Sequence, residues 1–184
     1  MSEFINPEPE IIQQLLYEDE YFPNNPSLPL LIYKKVFNLP PEDGAGLIEK
    51  TFEKNQWSNS WRDGIFDYHH YHSNTHEVLG VYSGNCIVQF GGEYGVTEEL
   101  RTGDVVIIPA GVAHKKIAGE DFKCVGAYPL GRSYNMHYGE PGEKVQTKPE
   151  ISEVPLPETD PVFGPTGPLN RYWEKQSTYS AADR

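Results

Sequence analysis

The spacing of apolar positions divides this chain into three stretches of different character. Over residues 8–18, Ile11, Ile12, Leu15 and Leu16 fall at the intervals that gather side chains on one face of a helix, so a short amphipathic helix is predicted there. "FPNNPSLPLLIYKKV" then interrupts any helix with its prolines and leads into an apolar, β-compatible run at Leu30–Val36. A second helix is predicted over Ala45–Asn55, where Leu47, Ile48 and Phe52 share one side.

From Trp57 the pattern changes to brief apolar and aromatic runs bounded by Gly, Pro, Asn and Asp. They read "GIFDYHHYH", "HEVLGVYSG", "CIVQF", "VTEEL", "VVIIP", "HKKIA" and "FKCVGAYP". Seven closely spaced strands with no room for helices between them predict an antiparallel sandwich or barrel over residues 57–131. Residues 1–56 then form a helical and extended arm packed on that barrel. Beyond Gly131 the chain turns Pro-rich and acidic, and its prolines bar it from pairing as an interior strand. The expectation for residues 132–184 is an extended tail anchored by Val154, Leu156, Val162, Phe163, Leu169, Tyr172 and Trp173. Disorder is expected in roughly the last ten residues, which lack such anchors.

A length of 184 residues suits one domain with a single core. The formal charge of −12 disfavours nucleic acid and anionic membranes as partners. The acidic start "MSEFINPEPE" lacks the basic segment of a signal peptide, and no window offers the ~18 apolar residues of a membrane helix. A cytoplasmic location is the expectation. Cys86 and Cys124 sit in the apolar contexts "GNCIVQF" and "FKCVGAY" without zinc-pair spacing, and they read as buried thiols.

The chemistry concentrates in "FDYHHYHSNTHEV", where four of the six histidines fall within eight positions. In an extended strand, alternation aims His70 and His72 to one side and His69 and Tyr71 to the other. The next strand opens with His76 and Glu77, of which only one can share the His70/His72 side; a one-residue slip in register exchanges them. Far downstream, "GDVVIIPAGVAH" delivers His114 through a turn at Pro109-x-Gly111. Three imidazoles and one carboxylate suit a borderline first-row divalent metal better than calcium. A metal-free polar network is the competing reading of the same residues.

Two spaced patterns carry a resemblance. The first runs Gly64, five residues, His70-x-His72, four residues, Glu77, six residues, Gly84; the second runs Gly103, five residues, Pro109-x-Gly111, two residues, His114. With these the chain resembles the cupins, whose two motifs are present in order. It departs from many of them in carrying Ala118 where an Asn follows the last His. The wider "NSWRDGIFDYHHYHSNTHEVLGVYSG" and "VGAYPLGRSYNM" are similar to the YjlB-like branch of that family, a branch that implies a fold without fixing a reaction.

The resemblance implies an antiparallel double-stranded β-helix, or jelly-roll barrel. It also implies one divalent first-row transition metal per chain (Fe, Mn, Ni, Cu, Co or Zn) held by His70, His72, Glu77 and His114, with His76 the alternative to Glu77. A homodimer is expected by the same analogy. Trp57, Trp61, Phe66, Tyr68, Phe90 and Tyr128 are candidates for an apolar pocket around the metal. Arg62, Tyr68 and Tyr128 are the polar candidates for contact with substrate, Arg62 as a two-pronged carboxylate clamp. The function expected is a metal-dependent enzyme acting on a small polar organic molecule, an oxygenase ahead of an isomerase. The alternative is a cupin that binds or senses a small ligand without turnover.

Overall fold

The computed structural model describes residues 2–177. After a 3-10 turn at Ser2–Phe4, seven strands and three α-helices follow in chain order: β1 (Glu10–Leu16), β2 (Asn25–Lys34), α1 (Gly44–Lys54), β3 (Trp57–Asp63), β4 (Glu77–Phe90), β5 (Val96–Arg101), β6 (Val105–Ile108), β7 (His114–Pro129), α2 (Glu143–Glu153) and α3 (Pro168–Ser177). Every strand pairing is antiparallel, in the order β1-β2-β6-β4-β7-β3 with β5 added beside β4. The result is a jelly-roll barrel. No described helix is long and apolar enough to cross a membrane.

The barrel is built around β4 and β7. The first half of β4 pairs with β6 through Glu77↔Ile108 and Leu79↔Val106, and the second half pairs with β5 through Asn85↔Arg101 and Phe90↔Val96. β7 runs along the other edge of both halves. The change of partner falls at Gly84, whose φ of +67° suits glycine and whose missing Cβ would lie 2.1 Å from the Glu120 carbonyl oxygen.

Alternation along the strands fills two apolar layers. Leu30, Ile32, Leu79, Val81, Val106 and Ile108 point into the barrel with Cys86 and Cys124, which are buried and unbonded to each other. Leu31, Tyr33, Val78, Val105 and Ile107 point the other way, beneath α1, α3 and Trp57. Burial on both faces explains why "VVII" and "LPLLIY" are continuous apolar runs.

α1 matches the predicted helix to within one residue at either end, and Asp43 caps it by accepting the Gly46 N–H. Four expectations need correction. The helix predicted over residues 8–18 is instead β1, where Ile11 and Ile12 lie opposite Tyr33 and Ile32. A helix that short is marginal alone, and a long apolar partner strand outweighs its local preference. "GIFDYHHYH" is no strand; it contributes only single bridges at His70 and Tyr71. The pairs "HEVLGVYSG"/"CIVQF" and "HKKIA"/"FKCVGAYP" are each one long strand, because their glycines bend the ladder without reversing it. The tail is not wholly extended: α2 and α3 interrupt it, and Pro168 sits at the first position of α3, where a proline is favoured. The disorder expected at the chain end concerns residues mostly outside the described ones.

Candidate metal centre

The segment carrying His70 and His72 is held extended from both sides. His70 exchanges two backbone hydrogen bonds with His114 (3.2 and 3.0 Å), Tyr71 exchanges two with His137 (both 3.0 Å), and the His72 carbonyl accepts the Gly111 N–H at 2.8 Å. Alternation follows from that extension. His69 and Tyr71 both meet the Phe22 ring, with centroids 5.2 and 6.1 Å away, while His70 and His72 face the opposite side. His114 arrives at the start of β7 after the turn in which the Val112 N–H bonds the Pro109 carbonyl. At that turn Gly111 adopts φ +92°, and a Cβ there would lie 2.5 Å from the Asn24 carbonyl oxygen.

His70, His72 and His114 are thereby brought together, all buried, each offering a ring nitrogen within 4.8 Å of the others. Their second nitrogens are occupied: Nδ1 of His70 faces the Tyr68 carbonyl (3.2 Å), that of His72 the Asn135 carbonyl (2.6 Å) and that of His114 the Val112 carbonyl (3.1 Å). A carbonyl only accepts, so each Nδ1 carries hydrogen and each Nε2 is the nitrogen left for the centre. Three histidines tied in this way are oriented as ligands.

Glu77 opens β4 on the same side. Its Oε1 accepts the Tyr128 hydroxyl hydrogen at 3.0 Å, and that hydroxyl in turn accepts the Trp61 indole N–H at 2.7 Å. Oε2 lies 3.3 Å from Nε2 of both His72 and His114, yet it is buried with no hydrogen-bond partner. A self-sufficient polar network would direct a donor at that oxygen. An oxygen shared by two imidazoles and bonded to neither suits a cation between them, so the donor set fits a divalent metal.

The electrostatics agree. Burial, reinforced by His114, pushes the His70 imidazole down to about 3, so it is neutral. Burial alone would raise the Glu77 carboxyl, but His72 and His114 outweigh it and hold the group well below the ordinary carboxylate range. Burial works to lower His72 too, and there the Glu77 carboxylate reverses the sign and raises it. A cation and a proton compete for the same Nε2 lone pair.

His76 faces away from this centre. Its Nδ1 accepts the Ala110 N–H at 2.9 Å, its ring packs on Trp173 with centroids 4.7 Å apart, and burial pushes its pKa down to about 3. The register Glu77↔Ile108 settles which of the two neighbours points inward.

A cavity of about 210 Å³ opens over the three histidines and Glu77, walled by Trp61, Phe66, Leu79, Tyr128, Tyr134 and Met136. Trp57 and Phe90, expected in this pocket, lie in the core. Arg62 reaches the cavity, but its Nε and Nη2 both donate to Glu49 of α1 at 2.7 Å, which ties one edge of the guanidinium and offsets its charge. Tyr68 is stacked on Phe66 at 4.9 Å and stands outside the cavity wall. Tyr128 lines the wall with its hydroxyl committed on both sides. Sequence reasoning missed Tyr134 and Met136, which line the cavity, and Asn135, whose carbonyl meets His72; all three come from the irregular segment after β7, where no period places side chains.

A family profile described as "Cupin domain" matches residues 63–125. The uncharacterized protein YjlB of Bacillus subtilis (strain 168) is 42% identical over 159 residues, covering 86% of this chain and 93% of that protein. Among solved structures, acireductone dioxygenase from Bacillus anthracis, with a cadmium ion in its active centre, is 18% identical over 56% of this chain and 79% of that one, at a TM-score of 0.40. Recombinant pro-11S globulin of pumpkin is 23% identical over 43% of this chain at a TM-score of 0.35, and this chain spans only 22% of its length. Likenesses at these scores carry nothing about chemistry.

Proposed function

This chain belongs to the cupins, in their YjlB-like branch, and from that premise we propose that it binds one divalent first-row transition metal and uses it as an enzyme, an oxygenase, on a small organic substrate. The ligands in this reading are His70, His72, Glu77 and His114. The observation that carries it is the orphaned Glu77 Oε2 beside imidazoles whose Nδ1 atoms are all tied to carbonyls. When bound, such a metal supplies Lewis-acid or redox chemistry next to the cavity.

The chain's own residues supply position and enclosure. Tyr128, fixed by Trp61, holds Glu77 Oε1 so that Oε2 faces the histidines. Aromatic walls around about 210 Å³ suit a compact substrate with an apolar body, in a space below the roughly 300–1,000 Å³ of drug-sized sites. With the Arg62 charge met by Glu49, a strongly anionic substrate is disfavoured, so the small polar molecule expected from the sequence is read as an uncharged one. The alternative of ligand binding without turnover draws on the commitment of Tyr128 and Arg62, the two polar candidates that reach the cavity. A homodimer is consistent with β1, whose outer edge pairs with no other strand among the described residues.

Elemental analysis of purified protein tests the metal reading: near-stoichiometric first-row metal is expected, lost in His72→Ala and His114→Ala with the circular dichroism unchanged. Protein that stays metal-free after reconstitution with Mn, Fe, Ni, Cu and Zn rejects it. Oxygen uptake by the metal-loaded form, screened against phenols and diketones, separates turnover from binding alone.

A further inference from the structure

Two of the three histidines are oriented locally and one is not. His70 and His114 each donate Nδ1–H to a carbonyl two residues earlier in the chain. His72 donates to the carbonyl of Asn135, 63 positions away and in a segment outside any strand or helix. Its bond is also the shortest of the three, at 2.6 Å.

The Asn135 side chain holds that carbonyl in place. Oδ1 accepts the Ser73 N–H at 2.9 Å, Nδ2 donates to Ser73 Oγ at 2.8 Å, and the Asn135 N–H reaches Asn74 Oδ1 at 3.1 Å. Asn74 completes the clasp by donating to the Ser133 carbonyl at 3.0 Å. One residue thus grips the two positions that follow His72 while its own carbonyl grips the His72 ring.

Ser73 also meets His137 Nε2 at 2.8 Å, and His137 Nδ1 lies 3.2 Å from Glu143 of α2. That line of hydroxyl, imidazole and carboxylate has the outline of a nucleophilic triad. Ser73 is fully buried, however, and its hydroxyl donates to Glu150 while accepting from Asn135, so nothing is left exposed to attack a substrate. The cluster fastens α2 and the segment around Asn135 to the His72 loop.

We propose that Asn135 is the positioning residue of the metal centre: its carbonyl sets the tautomer and aim of His72, and its side-chain clasp on Ser73 and Asn74 keeps that carbonyl in register. The proposal rests on the metal-binding reading above and adds a residue from outside both sequence motifs. Partners that orient a ligand histidine typically account for about 10–100-fold in metal affinity.

The test is chelator competition on the full chain loaded with Co²⁺ or Zn²⁺, with the cobalt absorption bands recorded alongside. Asn135→Ala is expected to weaken binding by about 10–100-fold and to shift the cobalt bands. Ser73→Ala, which removes one end of the clasp, is expected to weaken binding less and in the same direction; it serves if Asn135→Ala fails to fold. Tyr71→Phe is the control. It deletes hydroxyl contacts to Thr147 and Glu143 and so loosens α2 beside His72 without touching Asn135. Its affinity should match wild type. Wild-type affinity in both clasp variants overturns the proposal, and so does an equal loss in Tyr71→Phe, which would reduce Asn135 to general support. Wild-type protein that takes up neither metal fails the metal reading itself, and the proposal falls with it.

Discussion

His76 and Glu77 are neighbours in sequence with opposite fates, and the difference lies in the face of β4 each one occupies. Glu77 enters the barrel among the histidines, while His76 lies under Trp173 and accepts the Ala110 N–H. His76→Ala should therefore leave metal stoichiometry intact and destabilise the fold. Removing a buried ring and stranding a buried N–H together cost about 2–4 kcal/mol, to be read from urea unfolding with metal analysis on the same sample. Metal loss from a folded His76→Ala protein would reverse the assignment. At this scale the sequence was informative wherever a period existed. The His70-x-His72 alternation and the distance to His114 placed three side chains, but the choice between His76 and Glu77 depended on pairing register, which local pattern leaves open. Asn135 and Tyr134 were illegible because irregular backbone imposes no period on its side chains.

Glycine and proline were the signals most often misjudged among the elements. Ser83-Gly84-Asn85 has the composition of a turn, yet it bends β4 in mid-course. The left-handed backbone at Gly84 lets the strand exchange β6 for β5 while keeping β7, and the Glu120 carbonyl fills the space a side chain would need. Gly84→Ala should cost about 2–4 kcal/mol, roughly 1–2 of it for the left-handed conformation and the rest for backbone that must move aside. Thermal unfolding of the metal-free protein checks this, and a cost below that of an ordinary surface substitution would mean the bend is not required. The same ambiguity explains the tail. The tail's prolines predict an extended chain that cannot pair as an interior strand, yet Pro168 starts a helix, since the missing N–H would have had no partner in the first turn anyway. For β1 the error ran the other way: Ile11 and Ile12 satisfy a helical spacing, but a partner strand distant in sequence decides their structure.

At the scale of the whole molecule, the segment after the barrel is part of the core. Val162, Leu169 and Trp173 belong to one buried cluster with Trp57, Phe52 and Tyr33. Six hydrogen bonds, made through Trp173, Trp57 and Asp160, fix that packing. The Trp173 indole donates to the Pro29 carbonyl at 2.9 Å, the Trp57 indole to the Thr159 carbonyl at 2.9 Å, and Asp160 accepts the Tyr33 hydroxyl together with the Val162, Phe163 and Leu169 N–H groups. The apolar anchors listing toward this role were visible as isolated residues in a Pro-rich tract, but no pattern told which surface they would cover. Trp173→Ala tests how far the tail is integral. It removes the lid over His76 and the bond to β2, and as a buried large-to-small change it should cost about 3–5 kcal/mol. If the chain folds as one unit, that loss lowers a single cooperative transition seen identically by fluorescence and by circular dichroism. A tail merely laid over a self-sufficient barrel gives a different result: an early transition confined to the tail, with the main unfolding midpoint unmoved. Because the clasp on His72 comes from the same post-barrel segment, variants there should divide: those that break the Asn135 clasp lower metal affinity, while Trp173→Ala, which leaves the clasp contacts in place, lowers stability alone.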